Sequence, residues 1–295
     1  MLSLHTNNAS LSAQNSISTT QKSLSTSMTR LSTGYRINSA MDDAAGLQIA
    51  TRLKSQTSGM AVAMRNTQNS ISMMQTAEGA LSEVNNILVR MKDLATQSAD
   101  ASSSTDDQTA MQGEFDQLSN ELGNIMSNTK FGGSALLQAG TGSKLGATAG
   151  MTFQIGADSS EKMVAKFSTE LTDVHTDIKA AAAQYDGTAG TAAATAGTEI
   201  NATNANATIG KLSTAIDSVS SLRSKLGAVA NRLDHVYNNL SNISSNTQAA
   251  AGRIMDVDFA TESSSMTSNQ MLMQAGTAML KQTNSMSSMV MSLLQ

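Results

Sequence analysis

The sequence predicts a mainly α-helical protein. Its two ends should form a long antiparallel helical bundle or coiled coil, with a small β-hairpin region in the middle. Three observations carry this expectation. None of the 295 residues is Pro, and Pro inside a helix costs about 3 kcal/mol, so nothing interrupts long helices. Aromatics make up 3% of the chain, with no Trp, too few to fill a compact globular core in the ordinary way. Between Ile209 and Ile243 the large aliphatic residues recur at steps of mostly three and four, a heptad rhythm that demands a partner helix.

In chain order, Leu4, Leu11, Ile17, Leu24, Met28 and Leu31 lay a thin apolar stripe on a helix otherwise rich in Ser, Thr and Asn. Residues 1–42 are assigned to it. Met74, Ala77, Leu81, Val84, Leu88, Met91 and Ala95 keep a helical spacing, and Met111, Phe115, Leu118, Leu122 and Ile125 repeat it. Thr105-Asp-Asp-Gln108 before the second run reads as a capping box, and Lys130-Phe-Gly-Gly133 as its stop, with glycines free to take positive φ. Met151–Ile155 and Met163–Phe167 flank a Gly156–Ser160 turn, which predicts a hairpin near 150–168. These elements fill 43–178. Residues 179–208 are Ala, Thr, Gly and Asn with almost no large apolar residue, so an exposed tip is expected there.

The rod of 209–253 follows: Ile209, Leu212, Ile216, Val219, Leu222, Leu226, Val229, Leu233, Val236, Leu240 and Ile243. The final segment, 254–295, carries two adjacent heptad lines. One is Leu272, Met279, Met286 and Leu293; the other is Phe259, Met266, Met273, Leu280 and Leu294. Neither end segment holds a helix alone, since isolated helices are marginal in water. They need each other or another molecule.

Composition removes several function classes. Without Cys there is no disulfide, thiolate zinc site or Cys nucleophile. His5, His175 and His235 lack ligand spacing. A net charge of −4 offers no field for nucleic acid or anionic lipid, and no apolar run reaches the roughly 20 residues of a membrane span. The opening MLSLHTNNAS lacks the pattern of a cleavable secretory signal. Gly140–Gly146 lacks the order of a phosphate loop. Asp234-His235 sits on the rod with no nucleophile in view and is expected on an exposed helix surface. Asp42-Asp43 and Asp256/Asp258 lack the alternating ligands of a calcium loop, and capping is the better reading. Catalytic, cofactor and metal residues are therefore expected to be absent.

Two long motifs and two shorter tail stretches point to a family. Leu31-Ser-Thr-Gly-Tyr-Arg-Ile-Asn-Ser-Ala-Met-Asp-Asp-Ala-Ala-Gly-Leu-Gln-Ile-Ala50 resembles the amino-terminal hallmark of bacterial flagellins. Ala251-Gly-Arg-Ile-Met-Asp-Val-Asp-Phe-Ala-Thr-Glu262 resembles their second hallmark, and Gln274–Leu280 with Met291–Gln295 their tail. The match spans roughly 1–138 and 209–295. Met41 stands where a Lys is common, and Gln295 where an Arg is common.

The resemblance implies an exported subunit that self-assembles into the extracellular filament used for motility. Leu4, Leu11, Leu24 and Leu31 would then pair in an inner coiled coil with Phe259, Met266, Leu272, Met273, Met279, Leu280, Met286, Leu293 and Leu294. It also implies the partners: further copies of the chain, the export apparatus and an export chaperone, and the hook-associated junction and cap proteins. Missing Cys and Pro suit a chain threaded unfolded through a narrow channel. Leu88–Gln97 is similar to the flagellin segment read by a vertebrate toll-like receptor, with Arg90, Leu94, Gln97 and Glu114 at matching positions. Leu88 and Met91 of that segment lie on the apolar stripe, so part of it is core. Two other readings stay open: a hook–filament junction protein, which shares the end motifs, and a helical-hairpin signalling protein. The latter is expected to bring a membrane span and glutamate-rich segments, and the sequence has neither.

Overall fold

The computed structural model describes residues 7–140, 142–186 and 197–293. In chain order they form α1 (Asn8–Thr33), α2 (Ala44–Ser98), α3 (Thr105–Asn128), β1 (Lys130–Phe131), β2 (Ser134–Ala135), β3 (Met151–Gln154), β4 (Lys162–Ala165), α4 (Ser168–Ala181), α5 (Ala205–Met255) and α6 (Phe259–Leu293). Mainly α with a small β region is what the Pro-free heptad sequence predicts. The chain divides into two compact units, one of residues 58–244 and one of 1–57 with 245–295. The long helices α2 and α5 each contribute to both. The sequence breaks at 42/43 and 253/254 fall in the link before α2 and inside the last turn of α5. Among the described residues no helix is long and apolar enough to cross a membrane.

In the 58–244 unit the two sequence stripes become the core. Met74, Ala77, Leu81, Val84, Leu88, Met91 and Ala95 are all buried, and so are Leu212, Val219, Leu222, Leu226 and Leu233 of α5. Phe115, Leu122 and Met126 add the inner face of α3. Outside this seam the rod loosens: Ile209, Ile216 and Val229 are only partly buried against it. Arg223 Nη2 reaches Glu78 Oε1 at 2.9 Å across α5 and α2.

The cap of α3 lies one residue earlier than the sequence suggested. Ser104 is the N-cap, accepting from the Asp107 N–H while the Asp107 side chain accepts from the Ser104 N–H. An Asp serves where the Thr105–Gln108 reading asked for Gln; Gln108 instead donates to Ser98 O at 3.2 Å. Gly132 and Gly133 do take positive φ, 57° and 80°, but the helix has already stopped at Asn128. The glycines form the two-residue turn between β1 and β2, where both central residues need φ above zero. Strands β3 and β4 pair antiparallel with Met151 opposite Ala165 and Gln154 opposite Lys162. Phe153, Met163 and Ala165 face the core.

The exposed tip at 179–208 needs correction. Ala181, Ala182, Tyr185, Ile200, Ala205 and Thr208 are buried, and residues 187–196 lie outside the described residues. The segment is anchored less by apolar mass than by polar groups. Glu199 accepts from Ala183 N–H and Gln112 Nε2, each at 2.8 Å. Gln112 Oε1 accepts from Ile200 N–H at 3.0 Å, and Asp116 from Gly197 N–H at 3.0 Å. Before it, α4 buries Leu171, Val174, His175, Ile178 and Ala181 on one face.

Candidate functional site

In the unit of residues 1–57 with 245–295, α1 and α6 run antiparallel side by side. Asn7 Nδ2 donates to Thr283 O at 3.3 Å, and Arg30 meets Glu262 at 3.6 Å. A Cβ built at Gly276 would lie 2.8 Å from Ile17 Cγ1, so the helices approach closely there. These contacts fix a register in which large residues face small ones. Met266, Met273 and Leu280 stand opposite Ser27, Thr20 and Ala13, while Ile17 stands opposite Gly276. On α6 the half-buried line is Glu262, Met266, Asn269, Met273, Gly276, Leu280 and Thr283. Its steps of four and three are those of a coiled-coil seam.

The hallmark motifs supply the corner at the base of this pair. Gly34 ends α1 at φ 75°, and two backbone hydrogen bonds tie its loop to the α5–α6 link: Arg36 N–H to Met255 O at 2.6 Å, and Val257 N–H to Gly34 O at 3.0 Å. Asp42 accepts from the Ser39 and Asn38 backbone N–H groups, which hold its carboxyl below the ordinary value of 3.8. Asp43 accepts from Gly46 N–H at the start of α2. Asp258 does the same work at the start of α6, where the Thr261 hydroxyl and the Ala260 N–H depress its pKa. Both aspartate pairs thus contribute a helix-capping carboxylate.

The sequence-predicted seam residues divide into three groups. Leu24, Leu31, Met266, Met273 and Leu280 are half-buried on the α1–α6 faces. Leu11, Phe259, Leu272, Met279 and Met286 are 55 to 62% exposed. Leu4, Leu294 and the side chain of Leu293 lie outside the described residues. The two heptad lines of α6 therefore differ. Met266, Met273 and Leu280 of one face α1, with Phe259 at its start exposed, and Leu272, Met279 and Met286 of the other lie open.

The second predicted surface is on α2 and α3. Arg90 donates to Glu114 Oε1 through Nε at 2.9 Å and Nη2 at 2.7 Å, with both side chains about half exposed. Gln97 is exposed as well. Leu94 is not: at 2% exposure it belongs to the core, because its position continues the spacing of Leu88 and Met91.

Sequence reading missed a buried polar cluster. His175 Nε2 lies 2.8 Å from Leu137 O, and its Nδ1 2.5 Å from the Tyr185 hydroxyl. The carbonyl can only accept, so Nε2 carries the proton and Nδ1 accepts from Tyr185. Burial pushes the imidazole below its ordinary 6.5 and the phenol above its ordinary 10. The spacing of Leu171, Val174 and Ile178 was the available signal, since it places His175 beside the inner face. His235 is exposed, as expected. Among the described residues no group of three or more His, Asp or Glu side chains gathers as a metal ion would need.

Known proteins match the two ends that build these features. The family model for the bacterial flagellin N-terminal helical region matches residues 4–141, and that for the flagellin C-terminal helical region matches 209–294. The chain belongs to the bacterial flagellin family. Flagellin B of Vibrio anguillarum is 42% identical over 179 residues, covering 61% of this chain and 45% of that protein. Polar flagellin F of Vibrio parahaemolyticus is 44% identical over 172 residues, covering 58% and 44%. The matched stretch spans somewhat under half the length of these flagellins. A solved structure titled as a putative flagellar hook-associated protein from Vibrio parahaemolyticus shares the fold at a TM-score of 0.55 and 15% identity, covering 73% of this chain and all of that one. The β3–β4 hairpin, α4 and the anchored segment after it fall between the two matched regions.

Proposed function

We propose that the chain is the repeating structural subunit of an extracellular flagellar filament, exported and then polymerised with copies of itself. The observation that carries this reading is the open line on α6. Leu272, Met279 and Met286 stand at heptad spacing on a helix already packed on its other side against α1. A seam of that kind is complementary to another helix. Flagellin-family membership supplies the kind of assembly. The further partners that follow are an export chaperone, the export apparatus, and the hook-associated junction and cap proteins.

Replacing Leu272, Met279 and Met286 together with Gln tests the reading. Purified protein should keep its monomer melt yet form no filaments under polymerising salt, as seen by electron microscopy and sedimentation. Filaments from the triple variant would refute the role of that line. Arg90, Gln97 and Glu114 form the exposed part of the surface proposed for a host toll-like receptor. Arg90→Asp should lower receptor signalling without shifting the monomer melt, because neither Arg90 nor Glu114 is buried. An unchanged dose response would remove that surface from consideration.

A further inference from the structure

Among the described residues the β3–β4 sheet has two strands, so β4 has an open edge. Ile155 N–H bonds to Glu161 O at 3.0 Å, which sets the alternation of the antiparallel ladder. Phe153/Met163 and Met151/Ala165 are then the hydrogen-bonded pairs, and the backbone N–H and C=O of Val164 point away from β3. Lys162 N–H turns back to Ser160 O at 2.9 Å, leaving its C=O outward. Val164 is 50% exposed. Beside this edge runs a groove of about 350 Å³, walled by Met163–Lys166 on one side and by Lys225, Val229 and Arg232 of α5 on the other.

The charge around the groove is one-sided. Lys162, Lys166 and Arg232 are exposed and form no ion pair among the described residues. Lys225 is already held by Glu170 and lies 5.9 Å from the centre of the Phe167 ring. A cationic rim on a chain of net charge −4 goes against the average of its surface. Edge lysines also repel a second copy of the same strand. Two β4 strands paired antiparallel about Val164 would set Lys162 against Lys166 in both directions, which is unfavourable. The same spacing favours a strand carrying Glu at those two places and an apolar residue between them.

We infer that the β4 edge is a docking site for an acidic extended segment of another protein, added to the β3–β4 sheet as a third strand. Backbone pairing to Val164 would supply the hold, with Lys162 and Lys166 choosing acidic side chains. Arg232 adds to the field, and Val229 forms the apolar floor.

The test uses the full-length monomer and two blocked peptides, Glu-Thr-Val-Thr-Glu and Lys-Thr-Val-Thr-Lys, followed by amide NMR shifts at Met163, Ala165 and Lys166 and by the methyl shifts of Val229. The acidic peptide should give saturable shifts and the basic one none. Lys166→Glu with Arg232→Glu should weaken the acidic peptide about tenfold or more. Val164→Pro should abolish binding while leaving the β3–β4 ladder in place, because only an outward N–H is lost. A one-dimensional methyl spectrum of that variant checks its fold. If the Pro variant loses the ladder, N-methylation of the peptide at its central Val gives the same readout from the other side. Equal binding of both peptides, or undiminished binding after either backbone block, overturns the inference. So does reversible dimerisation of the unliganded monomer that Val164→Pro abolishes, which would assign the edge to a second copy.

Discussion

At the residue scale, what a position does depends on its opposite number more than on its own hydrophobicity. Leu88 and Leu233 both lie fully buried between helices. Leu→Ala at either should cost roughly 2–5 kcal/mol through lost contacts and a residual cavity, read as a lower midpoint in denaturant melts of the monomer. His175 makes a different kind of prediction. Its folded pKa lies below 6.5, so between the two values the unfolded chain binds more protons, and stability is lost as pH falls through that window. Wild-type protein should therefore lose more stability than His175→Gln between pH 7.5 and 5.5 in urea melts. Equal losses would show that the buried imidazole takes its proton at the ordinary value. Leu94 shows the limit of motif transfer by residue. Its chemistry suits a contact surface, but three residues after Met91 on the same helix face it belongs inside.

At the element scale, the α1–α6 pair is held by interdigitation of large and small side chains with little full burial. Among its described seam residues only Ser27 falls in the buried class. Amide protons of this pair should exchange faster in the monomer than those of α3 or the α5 seam, and should become protected on assembly. Protection already present in the monomer would refute coupled ordering. Gly276→Val should loosen the pair by forcing Ile17 aside, and Ile17→Ala should restore it; circular dichroism of assembled and free protein reads both. The sequence displayed both heptad lines of α6 plainly. It could not say which one faces inward, because the answer lies in Ala13, Thr20 and Ser27, small residues that an apolar stripe search passes over. The segment after α4 was misread for a related reason. Two isolated anchors, Tyr185 and Ile200, are fixed by polar partners, the Tyr185 hydroxyl by His175 and the Ile200 N–H by Gln112, while Asp116 and Glu199 hold Gly197 and Ala183, and polar anchors leave no periodicity to read. Ile200→Asp should lower the melting midpoint by burying an unpaired charge.

For the whole molecule, the fold class and both hallmark corners were legible because Gly, Asp and heptad signals are local and repeated. The polar clasp between the two ends was not, since its bonds are between backbone groups: Arg36 to Met255, and Val257 to Gly34. Those two bonds close a ring of chain running from the first hallmark to the second. The entropy of closing such a ring grows only with the logarithm of its length, about 0.6 kcal/mol for each doubling. Because the clasp uses backbone atoms flanking the ring, nothing inserted within it alters the atoms that close it. Residues added to an exposed loop anywhere within that ring therefore change the closure cost very little, while both ends stay bound to one geometry.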